Sequence, residues 1–412
     1  MRAYNKRVAA VAAVCTLLVT GAVIVSEQEW YDPAEKVSLE VLPTEVSENE
    51  SESDTFLDVE KAPEKVVSSE ESLIFWYEDD SYTPYIQVAL EAFEKDTGCS
   101  VTAKCVESLD YTGDIYDSTM ENGVFPDVYM LSGEQLEEVY LYGLAAENNS
   151  LGLYENIVAQ NALTASTYRE RLLGYPLSYN VCLFLYQKDY FETAPESIQE
   201  IITYSDENEP PENVEYLLEW DVNDPFYDFP FVSNCITFVK EEAQTMEIQY
   251  EESLYNEDLL FFEDMLESFS VDAKTVSEES ITENFIAGKT LCAILDSDAL
   301  YRMEGLACEI TEIPKLNDVL TAHTCALTDM MIVNNFSEKK ENAVLLAEYL
   351  TLDMSGKLHE LTGHYPVKAS ENPSQNEKIA YQAYETAILA PDSQDAGEFW
   401  ISLKETIAEF FE

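Results

Sequence analysis

The sequence predicts an α/β protein built as two lobes, each a mainly parallel sheet flanked by helices. Three observations lead to this prediction. Apolar stretches of strand length alternate with amphipathic stretches of helix length, the order typical of a parallel sheet covered on both faces. The alternation returns in the second half of the chain without an exact repeat. A chain of 412 residues with 46% hydrophobic content also suffices for two ordinary cores.

The predicted elements, in order, are strand 72–77, helix 83–98, strands 99–106 and 126–131, an acidic helix ending at Gly143, strand 180–186, helix 254–269, strands 289–295 and 330–335, and helix 337–353. Helix 83–98 has sharp boundaries, because Thr83 suits the N-cap, Pro84 the first turn and Gly98 the end. A serine is expected to cap helix 337–353. In such sheets, ligands bind outside the carboxyl ends of the strands.

The tripeptide Gly288-Lys289-Thr290 looks like the end of a phosphate-binding loop. That loop needs an earlier glycine and a preceding strand, since backbone N–H groups must curl around the phosphates before a helix begins. Glu283 occupies the position of the earlier glycine, and the segment before Gly288 has a helical pattern. We therefore predict that Gly288 ends a helix before a strand and that no nucleotide binds there.

The charge of the chain excludes several classes of partner. There are 81 acidic residues against 22 basic ones, a net charge of -59, which repels nucleic acid phosphates and anionic lipid headgroups. Most of this charge is expected to serve solubility, so no single carboxylate is functional on that ground alone.

The N-terminus predicts a membrane-directed segment. Basic residues precede Val8–Val25, an uncharged run that would span about 27 Å as a helix, enough to cross a bilayer core. Residues 1–26 are interpreted as a signal peptide or membrane anchor, with cleavage after Ser26 and lipidation of Cys15 as open alternatives. Residues 27–72 form an acidic tether, rich in Glu and Ser, that cannot bury enough surface to fold alone. The globular part is therefore expected outside the cell membrane.

Motifs of catalysis and metal binding are missing from the sequence. The seven cysteines after Cys15 are odd in number and form no CxxC, so they are interpreted as small buried hydrophobic residues. No HExxH occurs among the three histidines, and no Gly-x-Ser-x-Gly occurs. We expect no metal, no cofactor and no enzymatic activity.

Several stretches, taken in order, resemble the extracellular solute-binding proteins of carbohydrate ABC transporters, the maltose/maltodextrin-binding type. The stretches are "AFEKDTGCSVTA" (92–103), "FPDVYMLSGEQLEEVYLYGLAAE" (125–147), "LLGYPLSYNVCLFLYQKDYF" (172–191), "VNDPFYDFPFV" (222–232), "FIAGKTLCAIL" (285–295), "EIPKLN" (312–317), "EKKENAVLLAEYLT" with "TGHYPV" (338–367) and "GEFWISL" (397–403). "FEKDTG" is the most specific of them, and the resemblance covers roughly residues 73–412.

The resemblance implies a two-lobe periplasmic-binding-protein-like fold with lobes that are discontinuous in sequence. Lobe 1 would comprise 73–178 plus 310–350, and lobe 2 would comprise 179–309 plus 351–412. A ligand would bind between the lobes, which close by a hinge motion. The resemblance further implies a monomer on the outer face of a bacterial membrane that passes its solute to the permease subunits of an ABC importer.

The resemblance also implies ligand-binding residues, namely Asp80, Glu134, Asn180, Asp224, Phe226, Asp296, Asp298 and Trp400. Trp400 and Phe226 would stack on sugar rings, and Asn180 stands where maltodextrin binders carry a glutamate. Two positions depart from the family. Leu131 replaces a stacking tryptophan, and Asp296-Ser297-Asp298 replaces Gly-Pro-Trp, so specificity for long maltodextrins is not implied.

Other functions remain open at this level. The acidic residues expected in the cleft, with Asp79 added, would suit a cationic solute such as a polyamine or an amino sugar. A membrane-anchored sensor could retain the fold without transport. A surface glycosidase could use a pair of carboxylates, although pairs arise readily by chance among 81 acidic residues.

Overall fold

The computed structural model describes residues 72–411, apart from 122, 192, 209–210, 241–245, 304 and 392–393. The predicted segment 1–26 and all but the last residue of the predicted tether 27–72 lie outside the described residues. Within the described ranges, no helix combines the length and the hydropathy needed to cross a bilayer.

The strands are β1 (Ser72–Tyr77), β2 (Ser100–Cys105), β3 (Val128–Ser132), β4 (Thr167–Tyr168), β5 (Arg171–Leu172), β6 (Tyr175–Gln187), β7 (Tyr216–Glu219), β8 (Ile236–Lys240), β9 (Met246–Tyr250), β10 (Thr290–Asp296), β11 (Cys308–Thr311), β12 (Cys325–Val333), β13 (Tyr365–Pro366) and β14 (Ile388–Leu389). The α-helices are α1 (Thr83–Thr97), α2 (Tyr111–Met120), α3 (Leu136–Leu141), α4 (Leu151–Tyr154), α5 (Gln160–Ala165), α6 (Ile198–Glu207), α7 (Pro225–Val232), α8 (Glu252–Phe269), α9 (Glu278–Ile286), α10 (Lys340–Glu348), α11 (Leu358–Thr362), α12 (Gln375–Thr386) and α13 (Gln394–Ala408). This confirms the predicted α/β class.

One large mixed sheet has the order β2-β1-β3-β12-β6-β10-β7, with β11 and β13 also paired to β6 and β14 to β12. The flanking pairs β1–β2, β1–β3 and β7–β10 are parallel, as predicted. The long strand β6 instead runs antiparallel to all its partners, including β12 and β10. The chain travels outward along β6 and returns along β12, so these two strands must run in opposite directions.

Strand β6 divides the sheet into two parts. Its first residues, 175–181, pair with β12 and β13, whereas 182–187 pair with β10 and β11. We call the part with β1, β2, β3 and β12 the β1 half, and the part with β7, β10 and β11 the β10 half. Apolar residues such as Leu183, Leu185 and Leu295 are fully buried here, so the core runs through both halves.

Two predicted helix boundaries differ in detail from the structure. Helix α1 begins at Thr83 and ends at Gly98, whose φ of 76° suits glycine, but its N-cap is Tyr82 and not Thr83. The Thr83 hydroxyl bonds the Tyr77 hydroxyl instead, at 3.0 Å.

The predicted helix 337–353 starts later, because α10 begins at Lys340 and has Lys339 as its N-cap. Ser337 lies just before it, accepting a hydrogen bond from the Lys339 backbone N–H and donating one to Asp127. The last predicted turn, Tyr349–Asp353, is a π-helix.

Gly288 has the predicted role. Helix α9 ends at Ile286, Gly288 follows with φ of 71°, and β10 begins at Thr290. The Lys289 side chain forms an ion pair with Glu215 at 3.0 Å, so its ammonium group is used in a contact other than phosphate binding. The order helix, glycine, strand is confirmed.

Five of the seven cysteines are buried, and the remaining two, Cys105 and Cys308, are half-buried. Burial raises the pKa of the thiols of Cys182, Cys292 and Cys325 well above the usual value, so these three stay neutral. This agrees with their interpretation as packing residues.

Candidate functional site

Most of the expected ligand-binding residues lie where the β1 half and the β10 half meet. Glu134 follows β3 in a single turn, Gly133–Gln135. Asn180 lies in the middle of β6, Asp296 is the last residue of β10, and Asp298 begins the turn after it. Glu134, Asp296 and Asp298 lie at strand ends, where α/β sheets bind ligands, and Asn180 reaches them by its hydrogen bond to Asp296.

Glu134 and Trp400 are in direct contact. The Trp400 indole Nε1 donates a hydrogen bond to Glu134 Oε1 at 2.9 Å. The indole ring also packs edge-on against Phe229 and Phe399, with centroids at 5.8 and 4.8 Å. Burial raises the pKa of Glu134 to about 7, although the bond from Trp400 opposes this. The pair offers an aromatic ring beside a carboxyl group that titrates near neutral pH.

Asn180, Asp296 and Ser297 form a second group. Asn180 Nδ2 donates to Asp296 Oδ2 at 2.9 Å, and Ser297 Oγ donates to Asn180 Oδ1 at 3.0 Å. Asp296 also accepts the backbone N–H of Ala299, which fixes the turn after β10. A glutamate at position 180 would bring a second carboxylate against Asp296. The amide therefore suits the carboxylate that follows β10 in this chain.

Asp298 is held by a histidine that the sequence analysis did not select. His364 Nδ1 lies 2.8 Å from Asp298 Oδ2, and His364 Nε2 lies 2.8 Å from Ser81 Oγ. Burial lowers the pKa of His364, but the hydrogen bond and charge of Asp298, together with the charges of Asp329 and Asp79, outweigh burial, so the net shift is upward. Burial raises the pKa of Asp298 to about 6 against the effect of His364. The ring of Tyr82 stacks on the imidazole at 4.1 Å.

The chain Ser81, His364, Asp298 has the connectivity of a hydrolytic triad, but its surroundings do not fit hydrolysis. A tetrahedral intermediate needs backbone N–H groups aimed at the developing oxyanion. The Ser81 N–H is already donated to the Asp79 carboxylate at 2.9 Å, and the Tyr82 N–H bonds the Asp79 carbonyl at 3.3 Å. A carboxylate next to Ser81 would repel an oxyanion. The geometry joins two parts of the site and assigns no catalytic residue.

Asp329 is a further residue that the sequence analysis missed. Tyr82 donates its hydroxyl hydrogen bond to Asp329 Oδ2 at 2.5 Å, and Ser178 Oγ lies 2.7 Å from the same hydroxyl. Burial raises the pKa of Asp329 to about 6, and the Tyr82 hydrogen bond opposes this. Asp329 interrupts the apolar stretch "LTDMMIV" of β12, next to an irregularity in the strand pairing. A lone carboxylate inside a buried strand was the signal available in the sequence.

The remaining expected residues are less central. Asp79 and Asp80 are both exposed and the charges of both act on Cys105, but the charge of Asp79 also acts on Asp298, Asp329 and His364. Asp79, which the expected set did not include, therefore acts on the cluster.

Asp224 caps helix α7 through the Phe226 backbone N–H at 2.9 Å, and its charge helps to raise the pKa of Glu134. Phe226 is half-buried and packs edge-on against Tyr227 at 5.6 Å. Leu131, in place of the family's stacking tryptophan, is only 2% exposed and belongs to the core.

No family model matches the sequence. Three solved structures are similar to the chain as a whole. The extracellular solute-binding protein from Staphylococcus aureus in complex with maltose has a TM-score of 0.68 at 17% identity, covering 83% of this chain and 96% of that one. The cyclo/maltodextrin-binding protein complexed with maltotetraose has a TM-score of 0.68 at 19% identity, with coverages of 83% and 92%. The Thermus thermophilus maltotriose binding protein bound with maltotriose has a TM-score of 0.66 at 15% identity, with coverages of 82% and 98%. The chain therefore has the fold of these solute-binding proteins, as the sequence predicted.

Proposed function

We propose that the protein is the extracytoplasmic substrate-binding component of an ABC importer, which binds a sugar or oligosaccharide between two lobes and delivers it to a membrane permease. The contact between Trp400 and Glu134 carries this proposal, because a sugar ring offers an apolar face to an indole and hydroxyl groups to a carboxylate. The three similar structures hold maltose, maltotetraose and maltotriose. The site contributes binding and no covalent chemistry.

The proposed lobes follow the two halves of the sheet, with β6 and β12 as the connections between them. Helix α11 packs on α1, and β13 pairs with Ser178 and Tyr179 of β6, both in the β1 half. Lobe 1 would therefore continue from 310 to about residue 366, beyond the boundary at 350 that the resemblance implies. The contacts of Trp400 with Glu134 and of Asp298 with His364 then join the two lobes.

A cationic solute is the second candidate, and the carboxylates around His364 favour it. Asp79, Asp298 and Asp329 all act on this one imidazole, and burial raises the pKa of Asp298 and Asp329 to about 6. An ammonium group placed among them would relieve their mutual repulsion, since charges attract more strongly in a partly dehydrated site. This site would take an amino sugar or a polyamine.

A thermal unfolding screen separates the candidates. A ligand at a hundredfold excess over its Kd raises the unfolding free energy by about 2.7 kcal/mol. We expect Trp400→Ala to weaken the stabilisation by at least one neutral sugar, and Phe336→Ala, an exposed control, to leave that stabilisation unchanged. Stabilisation by polyamines alone would favour the second candidate. No stabilisation by either set would contradict both and leave the anchored sensor.

A further inference from the structure

A cavity of about 650 Å³ lies beside the Glu134–Trp400 contact and is separate from it. We call it the side cavity. Its walls come from helix α5, from β14 in the main sheet, from β8 in the separate two-stranded sheet, and from the segment before β12. Its volume falls within the range of about 300–1,000 Å³ that is usual for small-molecule sites.

Among the residues that the structure describes, the lining of the side cavity includes the imidazole of His323 but no Asp, Glu, Lys or Arg, although the chain carries a net charge of -59. The lining combines apolar side chains with amides and hydroxyls, of which Phe238, Ile388, Asn161 and Thr237 are representative. A charged ligand would leave its charge without a partner here, at a cost in desolvation, whereas hydroxyl groups could bond to the amides and hydroxyls.

The polar groups in the side cavity are held in place. Asn161 Nδ2 donates to the backbone carbonyls of Tyr384 and Ala387, at 2.7 and 3.2 Å, which fixes the orientation of this amide. Phe238, which also lines the cavity, packs on Phe229 and Phe399, with centroids at 6.0 and 5.5 Å. A fixed amide together with a supported aromatic ring is a combination that can orient a sugar ring.

The side cavity is not an extension of the main site. The space that adjoins Glu134 and shares Ala165, Leu389 and Ala390 with the side cavity measures about 10 Å³, room for one water at most. A single ligand cannot pass through it. The two sites do share a wall, because Phe229 and Phe399 contact both Trp400 and Phe238.

We propose that the side cavity is a second ligand site, for an uncharged, hydroxyl-rich molecule of the size of a sugar. This inference does not depend on the proposed function of the Glu134–Trp400 site. It predicts binding that survives removal of Trp400 and is lost when the side cavity is filled.

The test uses the full chain, Trp400→Ala as the background, and isothermal titration calorimetry. The probes are N-acetylglucosamine, which is uncharged, and glucosamine, which has the same ring with an ammonium group. Thr237→Trp fills the cavity from an exposed rim position, Ala390→Trp fills it from the inner wall, and Ala103→Trp on exposed β2 is the matched control. We expect the background to bind N-acetylglucosamine, the control to keep this binding and both cavity variants to lose it.

Three results would overturn the proposal. They are N-acetylglucosamine binding that persists in folded Thr237→Trp, glucosamine binding as tight as that of N-acetylglucosamine, and no N-acetylglucosamine binding in the Trp400→Ala background. Failure of the proposed function looks different, because Trp400→Ala would then bind every sugar as the unchanged chain does, while Thr237→Trp still decides the side cavity.

Discussion

Two carboxylates in this protein have different surroundings, since Asp127 is buried and Asp329 is half-buried. Asp127 accepts hydrogen bonds from the Ile74 backbone N–H at 2.9 Å, from the Ser337 hydroxyl at 2.7 Å and from the Lys339 ammonium at 3.0 Å. Asp329 accepts from Tyr82 at 2.5 Å and more weakly from Ser178 at 3.4 Å, and the charges that act on it are those of His364, Asp298 and Asp79. A carboxylate with a full set of donors stabilises the fold, whereas one short of donors is available to a ligand.

The largest expected change in unfolding free energy comes from removing Asp127, the carboxylate with the full set of hydrogen-bond donors. Asp127→Ala leaves two hydrogen-bond donors and the half-buried Lys339 ammonium without this acceptor, so we expect the unfolding free energy to fall by about 3 kcal/mol. Urea denaturation measures this. The control is Asp318→Ala, which removes an exposed ion pair with Lys315 and should change stability by less than about 1 kcal/mol. Equal effects of the two variants would refute the distinction.

The next largest effect is expected on ligand affinity at the Glu134–Trp400 contact. Trp400→Ala removes an aromatic surface and the donor to Glu134, so we expect sugar affinity to fall by about 2 kcal/mol, roughly thirtyfold. Titration calorimetry measures the affinity, with Phe336→Ala as an exposed aromatic control. Unchanged affinity in Trp400→Ala would place the ligand elsewhere.

Substitution of Asp329 is expected to raise the unfolding free energy, by less than the substitution of Asp127 lowers it. The folded pKa of Asp329, about 6, lies above the ordinary 3.8, so its contribution to stability falls as the pH rises from about 4 to about 6. Asp329→Asn keeps an acceptor for Tyr82 and has no charge, so this variant should be more stable than the unchanged chain by about 1 kcal/mol at pH 7. The advantage should vanish near pH 4. Urea denaturation at both pH values tests this, and a loss of stability at pH 7 would contradict it.

The smallest expected effect is a change in the pKa of His364 when Asp298 is replaced. Burial lowers the pKa of His364, but the hydrogen bond and charge of Asp298, with the charges of Asp329 and Asp79, together raise it above 6.5. Asp298→Asn should therefore lower the pKa of His364, as followed by NMR of the imidazole protons. With only three histidines in the chain, the resonance can be assigned with His364→Asn. An unchanged titration curve would mean that the 2.8 Å contact does not persist in solution.

Local sequence chemistry was enough to predict much of the fold. Strand β1 has the predicted bounds, and Gly98 and Gly288 end their helices because positive φ angles favour glycine. The antiparallel direction of β6 was not predictable from its residues, because direction depends on which distant strands lie beside it. The start of α10 was misplaced for a similar reason, since Ser337 bonds Asp127 across 210 residues of sequence.

The sequence analysis selected five residues that the structure brings together where the two halves meet, namely Glu134, Asn180, Asp296, Asp298 and Trp400, and their role in ligand binding stays a prediction. The sequence analysis missed His364 and Asp329 because their contacts are with distant partners: His364 is 283 positions from Ser81, and Asp329 is 247 positions from Tyr82. The sequence could not show whether Asp79 or Asp80 acts on the cluster around His364, because that depends on the geometry of the turn that contains them.

The change of strand partners along β6 also determines where the two halves could rotate against each other. Val181 pairs with β12 and Cys182 with β10, so a rotation of one half against the other would turn about this point of the strand. Asn180 lies one residue from that axis and would hardly move, whereas Glu134 and Trp400 belong to elements outside β6. A ligand group that bonds Asn180 would add affinity without favouring rotation of the halves. A ligand group held between Glu134 and Trp400 would favour that rotation, because these two residues move relative to each other.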